Sequence, residues 1–234
     1  MTCELTIIVP CYNEEKNLNK LLYNIQELLN LNSFIKVFLV DNGSTDNSNK
    51  IIKSNPIFKL QNFKLIEVKK NIGYGNGIMQ GLKKVDTKFY SWTHADLQTD
   101  IKDVLNAFNI NKEKLVRGNC IIKGKRKKRN FLDNLFTVCM SSITTILTLS
   151  PQYDINAQPK IFSKKMFLKL KNPPDDFMLD LYFMIIAKKF RFKIINHPVY
   201  FKKRKFGIAK GGGSIKGKII LSLLTIKYLL FGRY

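Results

Sequence analysis

Apolar residues in the first hundred positions of this chain follow two alternating rhythms. Short runs rich in β-branched and aromatic residues, Leu5–Val9, Ile35–Val40, Phe63–Val68 and Phe89–Thr93, have the length and composition of β-strands. Between them lie stretches of helical period at Asn17–Leu31, Ser48–Ser54 and Gly77–Val85. Strand and helix in alternation predict an α/β fold with a mainly parallel central sheet flanked by helices.

Beyond Asp96 the rhythm loosens. The pattern predicts a helix near Asp100–Ile110, a strand near Lys114–Ile122, a basic loop over Lys123–Arg129 and a long helix from Phe131 to Leu147. A turn at Asn172-Pro173-Pro174-Asp175-Asp176 precedes a helix over Met178–Lys189, a strand over Lys193–Tyr200, a Gly- and Lys-rich loop over 202–214 and a final amphipathic helix. With no repeat and no long linker, residues 1–234 are expected to form a single domain, built from 1–98, 99–214 and a C-terminal helix at 215–234.

Charge changes the picture. Forty Lys and Arg oppose 17 Asp and Glu, a formal net charge of +23, which favours phosphate-rich partners such as nucleic acid, anionic lipid or nucleotide diphosphates. The cluster Lys123–Arg129 suits an anionic membrane surface, where each cation contributes about 1 kcal/mol. The helix from Ile215 to Tyr234 suits the membrane interface, and closing the core accounts for it equally well. Neither Phe131–Leu149 nor Ile219–Phe231 reads as a spanning helix, and the first apolar run is too short for a secretory segment. Cys3, Cys11, Cys120 and Cys139 lack metal-ligand spacing. The expected location is the cytoplasm, peripheral on the inner face of the cell membrane.

Candidate chemistry sits at the strand ends, where open α/β sheets bind ligands. The first strand runs into Val9-Pro10-Cys11-Tyr12-Asn13-Glu14, an aromatic ring and a carboxylate suited to gripping a nucleoside; Pro10 as a strand stop and Asn13 as a helix cap explain the same residues without a ligand. The second ends in Val40-Asp41-Asn42-Gly43-Ser44-Thr45-Asp46, and Asp41 is a candidate acceptor for a base N–H. An EF-hand register from Asp41 fails, because Asp46 falls where glycine belongs and Ile52 where the bidentate glutamate belongs. Asn71-Ile72-Gly73-Tyr74-Gly75-Asn76-Gly77 is either a plain turn or a loop offering backbone amides to an anion. In Trp92-Thr93-His94-Ala95-Asp96-Leu97-Gln98, alternation turns His94, Asp96 and Gln98 to one side, half a site for Mn2+ or Mg2+ on a diphosphate; Asp96 as a helix cap is the competing explanation.

Together these segments resemble glycosyltransferase family 2, enzymes of GT-A fold that use nucleotide sugars, and in particular its dolichol-phosphate mannose synthase-like branch, over nearly the whole chain. The family's Val-Pro-x-Tyr-Asn-Glu string is matched by Val9 to Glu14, and its Val-Asp-(Asp/Asn)-Gly-Ser-x-Asp string by Val40 to Asp46. The resemblance implies nucleotide binding by Pro10, Tyr12, Glu14, Asp41, Asn71, Gly73 and Asp96, and a metal held by Asp96, Gln98 and His94. His94 replaces the first carboxylate of the metal motif, which removes a negative charge and favours Mn2+ over Mg2+.

Ile122 to Arg126 resembles the family's Gly-x-Arg segment, Asp154 to Lys160 stands in place of its Asp-x-x-x-Gly-Phe-Arg segment, and Asn196 to Tyr200, then Arg204 and Gly207, resemble its Glu-x-Pro-Val and Arg-x-x-Gly segments. Arg126, Arg204 and Lys210 are thereby implied as ligands of the diphosphate or the acceptor, the first 98 residues as the nucleotide half and 99–214 as the acceptor half. Asp180, with Asp96, is implied in catalysis, Asp180 as the base if the acceptor is a hydroxyl; Asp175 and Asp176 are alternatives. A polyprenyl phosphate acceptor would need no base.

The function implied is a metal-dependent, inverting transfer of a sugar to a polyprenyl phosphate or glycan. The Lys, Asn and Ile content suggests bacterial cell-surface polysaccharide or lipid-linked sugar synthesis. A membrane-protein partner is a possible addition, and no nucleic acid is expected. Two rivals stand beside this reading: a basic nucleic-acid-binding module, which leaves Glu14, Asp41 and Asp96 unexplained, and a non-catalytic transferase-like subunit.

Overall fold

The computed structural model describes residues 3–127, 131–149, 151–204, 206 and 214–232, with the backbone alone for 131–133. In chain order the elements are β1 (Leu5–Cys11), α1 (Glu15–Leu31), β2 (Ile35–Asp41), α2 (Ser48–Ser54), a 3-10 turn (Pro56–Lys59), β3 (Phe63–Glu67), α3 (Tyr74–Leu82), β4 (Phe89–Trp92) and α4 (Lys102–Arg117). Then follow β5 (Cys120–Lys127), α5 (Phe131–Thr148), β6 (Lys160–Ser163), α6 (Lys164–Phe167), α7 (Leu179–Lys189), β7 (Lys193–Tyr200) and α8 (Ile215–Phe231).

The strands form one seven-stranded sheet in the order β3-β2-β1-β4-β6-β5-β7. All pairings are parallel except those of β6 with β4 and β5, so the sheet is mainly parallel, as expected. Alternation along β1 sends Ile7 and Val9 to one face and Ile8 to the other. The first face buries Leu18, Leu22 and Ile25 of α1 with Val104 and Phe108 of α4. The second buries Ile78 of α3, Trp92, Phe162 and Phe183 of α7, which gives three layers with the sheet between two apolar cores.

Two expectations fail between residues 100 and 129. The helix does not stop near Ile110: Val104, Ala107, Phe108, Asn111 and Leu115 keep the helical spacing on one buried face, so α4 runs to Arg117 and displaces the expected start of a strand at Lys114. The strand instead continues into the supposed basic loop, because Cys120 to Gly124 are buried between β6 and β7. Lys123 is therefore an interior residue and no part of a membrane-facing cluster. The short strand β6, whose Lys160 is also fully buried, escaped the sequence pattern altogether.

At the C-terminus, Leu229 and Tyr228 of α8 pack against Met178, Leu181 and Ile185 beside α7, and α8 also lies along α5. The same helix exposes Ile219, Leu223, Leu230 and Phe231, so it both closes a small core and leaves apolar side chains outside. Among the described residues no helix is long and apolar enough to cross a membrane.

Gly81, inside α3, marks a close contact of helix on sheet: a Cβ there would lie 2.6 Å from Ile8 Cγ2 and 3.0 Å from Val40 Cγ2. Gly81→Ala should destabilise the protein by about 1–3 kcal/mol through overpacking, although alanine is the better helix former; a lowered urea midpoint in equilibrium unfolding checks this.

Candidate active site

The chain leaves β1 for β2 and β3 on one side, then crosses to β4 on the other. That reversal parts the loops at the carboxyl ends of β1 and β4, the place where such sheets open a crevice. A cavity of about 940 Å3 lies there. Its wall includes Pro10, Tyr12, Glu14, Asn71, Gly73, His94, Asp96, Gln98, Arg126, Asp180 and Arg204, which are most of the residues singled out in the sequence. Asp41 is not on that wall: it is buried, with its carboxylate accepting from Ser44 N at 3.0 Å and Asn49 Nδ2 at 2.8 Å, and Asn42 takes its place in the lining. Lys210 lies outside the described residues.

The loops after β1 and β2 support each other. Asn13 N donates to Ser44 Oγ, Glu14 N to Ser48 Oγ and Glu15 N to Asp46, while Thr45 N donates to Asn13 Oδ1. The polar string after Asp41 thus holds Glu14 and Tyr12 in place by buttressing their turn.

The glycine loop works by close approach to protein. A Cβ on Gly73 would fall 2.1 Å from Asp175 O, and one on Gly75 2.2 Å from Pro174 O, so the segment 174–176 rests directly on the loop. Asn76 ties it down, its backbone N donating to Asp175 O at 2.9 Å and its Nδ2 to Asp175 Oδ1 at 3.2 Å. Phe177 stacks on Tyr74 with ring centroids 5.5 Å apart, and both line the cavity. Tyr74 OH lies 3.1 Å from His94 Nε2. Burial, then the charge of Asp180, holds the Tyr74 phenol well above its ordinary pKa.

Residues 202–204 strap across the crevice. Lys202 N donates to Gln98 O and Gln98 Nε2 donates to Lys202 O, so the strap holds the Gln98 amide by its nitrogen, and the residue lines the cavity beside Asp96. Arg204 pairs with Glu14 and, at 3.6 Å, with Asp96. Among the described residues no three His, Cys, Asp or Glu side chains cluster as a metal cage. Asp96 on the cavity wall still fits Mn2+ or Mg2+, which bind nucleotides through one or two carboxylates and complete their shell with phosphate oxygens and water.

Beneath the wall formed by Arg126, Asp154 and Asp180 lies a buried charge network. Asp154 accepts from Arg126 N and Nε, each at 2.8 Å, and pairs with Arg126 Nη2; burial would raise the Asp154 pKa, but Arg126 holds it below its ordinary value. Lys160 donates to Ile155 O at 2.8 Å, Ala157 O at 2.9 Å and Asp180 Oδ1 at 2.9 Å, using every ammonium proton. Asp180 also accepts from Trp92 Nε1 and Gln158 Nε2. Lys123 reaches the carbonyls of Gly124 and Asp154, without a carboxylate of its own. Burial, then Lys160, pushes its pKa down to about 7. The sequence pattern pointed to neither Tyr74 nor Phe177, nor to the burial of Lys123 and Lys160; Lys123 read as surface charge because nothing in a sequence shows which carbonyls will meet an ammonium.

Comparison with known proteins agrees with this architecture. The model of the family described as "Glycosyl transferase family 2" matches residues 6–169, well over half of the chain. The chain belongs to glycosyltransferase family 2. It is 23% identical to dodecaprenyl-phosphate galacturonate synthase of Rhizobium johnstonii, over 97% of this chain and 67% of that protein. It is 26% identical to dolichyl-phosphate beta-glucosyltransferase of Dictyostelium discoideum, over 69% of this chain and 54% of that one. These relatives bear out the resemblance to the dolichol-phosphate branch. The chain spans from about a third to about two thirds of the length of such relatives. Glucosyl-3-phosphoglycerate synthase of Mycobacterium tuberculosis, solved with Mn2+, UDP and glucosyl-3-phosphoglycerate, superposes with a TM-score of 0.73 at 13% identity, over 97% of this chain and 79% of that one. A mannosyltransferase of Pyrobaculum calidifontis with GDP-Man and Mn2+ gives 0.64 at 19%, over 91% and 59%. The GT-A fold is therefore shared.

The two buried lysines should answer oppositely to substitution. Lys160→Met strands the Asp180 carboxylate and should cost about 3–5 kcal/mol. Lys123 has a folded pKa near 7 against about 10.4 when unfolded. The unfolded chain therefore binds the extra proton between those values, so wild-type stability gains from rising pH and carries its full penalty below 7. Measured by urea unfolding, the stability of wild type relative to Lys123→Met should rise between pH 7 and 9 by up to about 1.4 kcal/mol per pH unit.

Proposed function

We propose that this protein transfers a sugar from a nucleoside diphosphate sugar to a polyprenyl phosphate at the cytoplasmic face of a membrane, using Mn2+ or Mg2+ and inverting the anomeric carbon. The observation that supports this best is one cavity with two unlike ends. At the strand ends it is lined by Tyr12, Glu14, Asn71, Asp96 and Arg204; between α5 and α8 it is lined by Phe136, Met140 and Leu221. A nucleotide suits the first end, and an amphiphilic phosphate the second.

Pro10, Tyr12 and Asn71 would border the nucleoside. Asp96 would hold the metal ion, which when bound offsets charge on the diphosphate. Arg204 lies beside it, placed to take up charge as the sugar–phosphate bond breaks. An acceptor phosphate brings its own anionic oxygen, so no side chain need remove a proton. Asp180, engaged by Lys160, Gln158 and Trp92, then serves to hold the wall. The dodecaprenyl-phosphate and dolichyl-phosphate relatives support the acceptor class, and the neighbours solved with Mn2+ and UDP or GDP-Man support the donor and the metal. Its setting would be lipid-linked sugar or cell-surface polysaccharide synthesis.

Membrane attachment draws on the outward apolar side chains of α8, with the basic Lys216 and Lys227 among them. Sedimentation with anionic phospholipid vesicles should show binding that Leu223→Asp together with Phe231→Asp weakens at least tenfold; equal binding by the variant would remove α8 from the interface.

Thermal unfolding with UDP, GDP, CDP and dTDP, each with and without Mn2+, tests the donor side. One nucleotide should stabilise in a Mn2+-dependent way, by about 2.7 kcal/mol at a hundredfold excess over Kd, and Asp96→Ala should abolish the effect. No response to any nucleotide, with salt-sensitive binding to RNA or DNA, would overturn the proposal.

A further inference from the structure

His94 stands where the family's metal motif has its first carboxylate, and Gln158 where the Asp-x-x-x-Gly-Phe-Arg segment has glycine. These two departures meet on one oxygen. The Tyr74 hydroxyl lies 3.1 Å from His94 Nε2 and 3.3 Å from Gln158 Nε2.

The direction of each hydrogen bond follows from what the groups can do. Gln158 Nε2 is 3.0 and 3.2 Å from the two oxygens of Asp180, which only accept, so the amide nitrogen faces this way and not the amide oxygen. Gln158 therefore donates to the Tyr74 oxygen. The hydrogen of the phenol then needs an acceptor; Asp180 lies near enough to raise the phenol's pKa, but its carboxylate already accepts from Gln158, Lys160 and Trp92, and the acceptor at direct hydrogen-bond distance from the hydroxyl is His94 Nε2, at 3.1 Å. A neutral imidazole that accepts at Nε2 carries its proton on Nδ1.

We propose that Tyr74, oriented by Gln158 and Asp180, locks His94 in the Nδ1–H tautomer, so that His94 is not a metal ligand but a hydrogen-bond donor to a phosphate or sugar oxygen of the nucleotide sugar. The motif's ligating role falls to Asp96 and the amide oxygen of Gln98, which also line the cavity. In the family's pattern the first position supplies a negative charge to the ion; here it supplies an N–H to the anion the ion accompanies. What lies opposite Nδ1 rests on the transferase reading of the site, whereas the tautomer does not.

The free protein, 15N-labelled on histidine, decides the tautomer through long-range 1H–15N correlations at pH 8, with only His94 and His197 to assign. The expected spectrum has His94 Nδ1 protonated and Nε2 bare, and Tyr74→Phe should shift the proton toward Nε2. A wild-type Nε2–H signal overturns the proposal whether or not the variant folds. Pulsed EPR of Mn2+ bound with the best-stabilising of the four nucleoside diphosphates should show no 14N coupling from a directly ligated imidazole; such a coupling in the wild type also overturns it. If Mn2+ binds with none of them, the transferase reading fails instead, and the spectrum of the free protein still decides the tautomer.

Discussion

An ammonium ion sealed from water holds the second half of this protein together. Lys160 projects from a four-residue strand into a space where its three protons find two carbonyls and one carboxylate. Desolvating two charges is costly, and a buried pair survives only when its remaining hydrogen-bonding capacity is met. Here that condition brings four elements to one point: β6 carries the lysine, α7 carries Asp180, the loop before β6 supplies the carbonyls, and Trp92 at the end of β4 donates its indole N–H. The indole ring is packed in turn by Phe162 and Phe183, with centroids 5.3 and 4.9 Å away.

The cavity inherits its shape from that junction. Asp180 fixes Gln158, Gln158 fixes Tyr74, and Tyr74 stands against both His94 and Phe177. On the other side of the same loop Asp154 grips Arg126 through three donors. The strand ends at His94 and the wall beside Arg126 and Phe177 are thus connected through the buried side chains of Asp180, Gln158 and Asp154 and the partly buried Tyr74, and rigidity here comes from saturating polar groups as much as from apolar packing.

What the sequence made legible follows from this division. The first half could be read because its strands are short, largely apolar runs closed by Pro10, by Asp41-Asn42-Gly43 and by Thr93-His94, and because helical period and strand length differ clearly there. The second half resisted because its interior is partly ionic. Lys123 and Lys160 carry the composition of a surface onto buried strands, and the apolar face of α4 runs on into β-branched residues that mimic a strand start. The candidate site was legible residue by residue for the same reason: its members sit at the ends of the readable strands. Asp41 was placed by the same logic, yet its side chain turns away to Ser44 and Asn49, a detail of turn geometry that spacing does not carry. Tyr74 and Phe177, which meet across a hundred residues, left no local signal.

The seating of segment 174–176 on Gly73 and Gly75 bears on how such enzymes can be recombined. Two stretches far apart in the chain share one surface with no room for a methyl group between them, so neither is an independent module. A chimera that imports a foreign segment at 174–176 must bring the matching glycine loop with it. A library that randomises one alone will return mostly misdocked walls, however well the imported residues suit the new substrate.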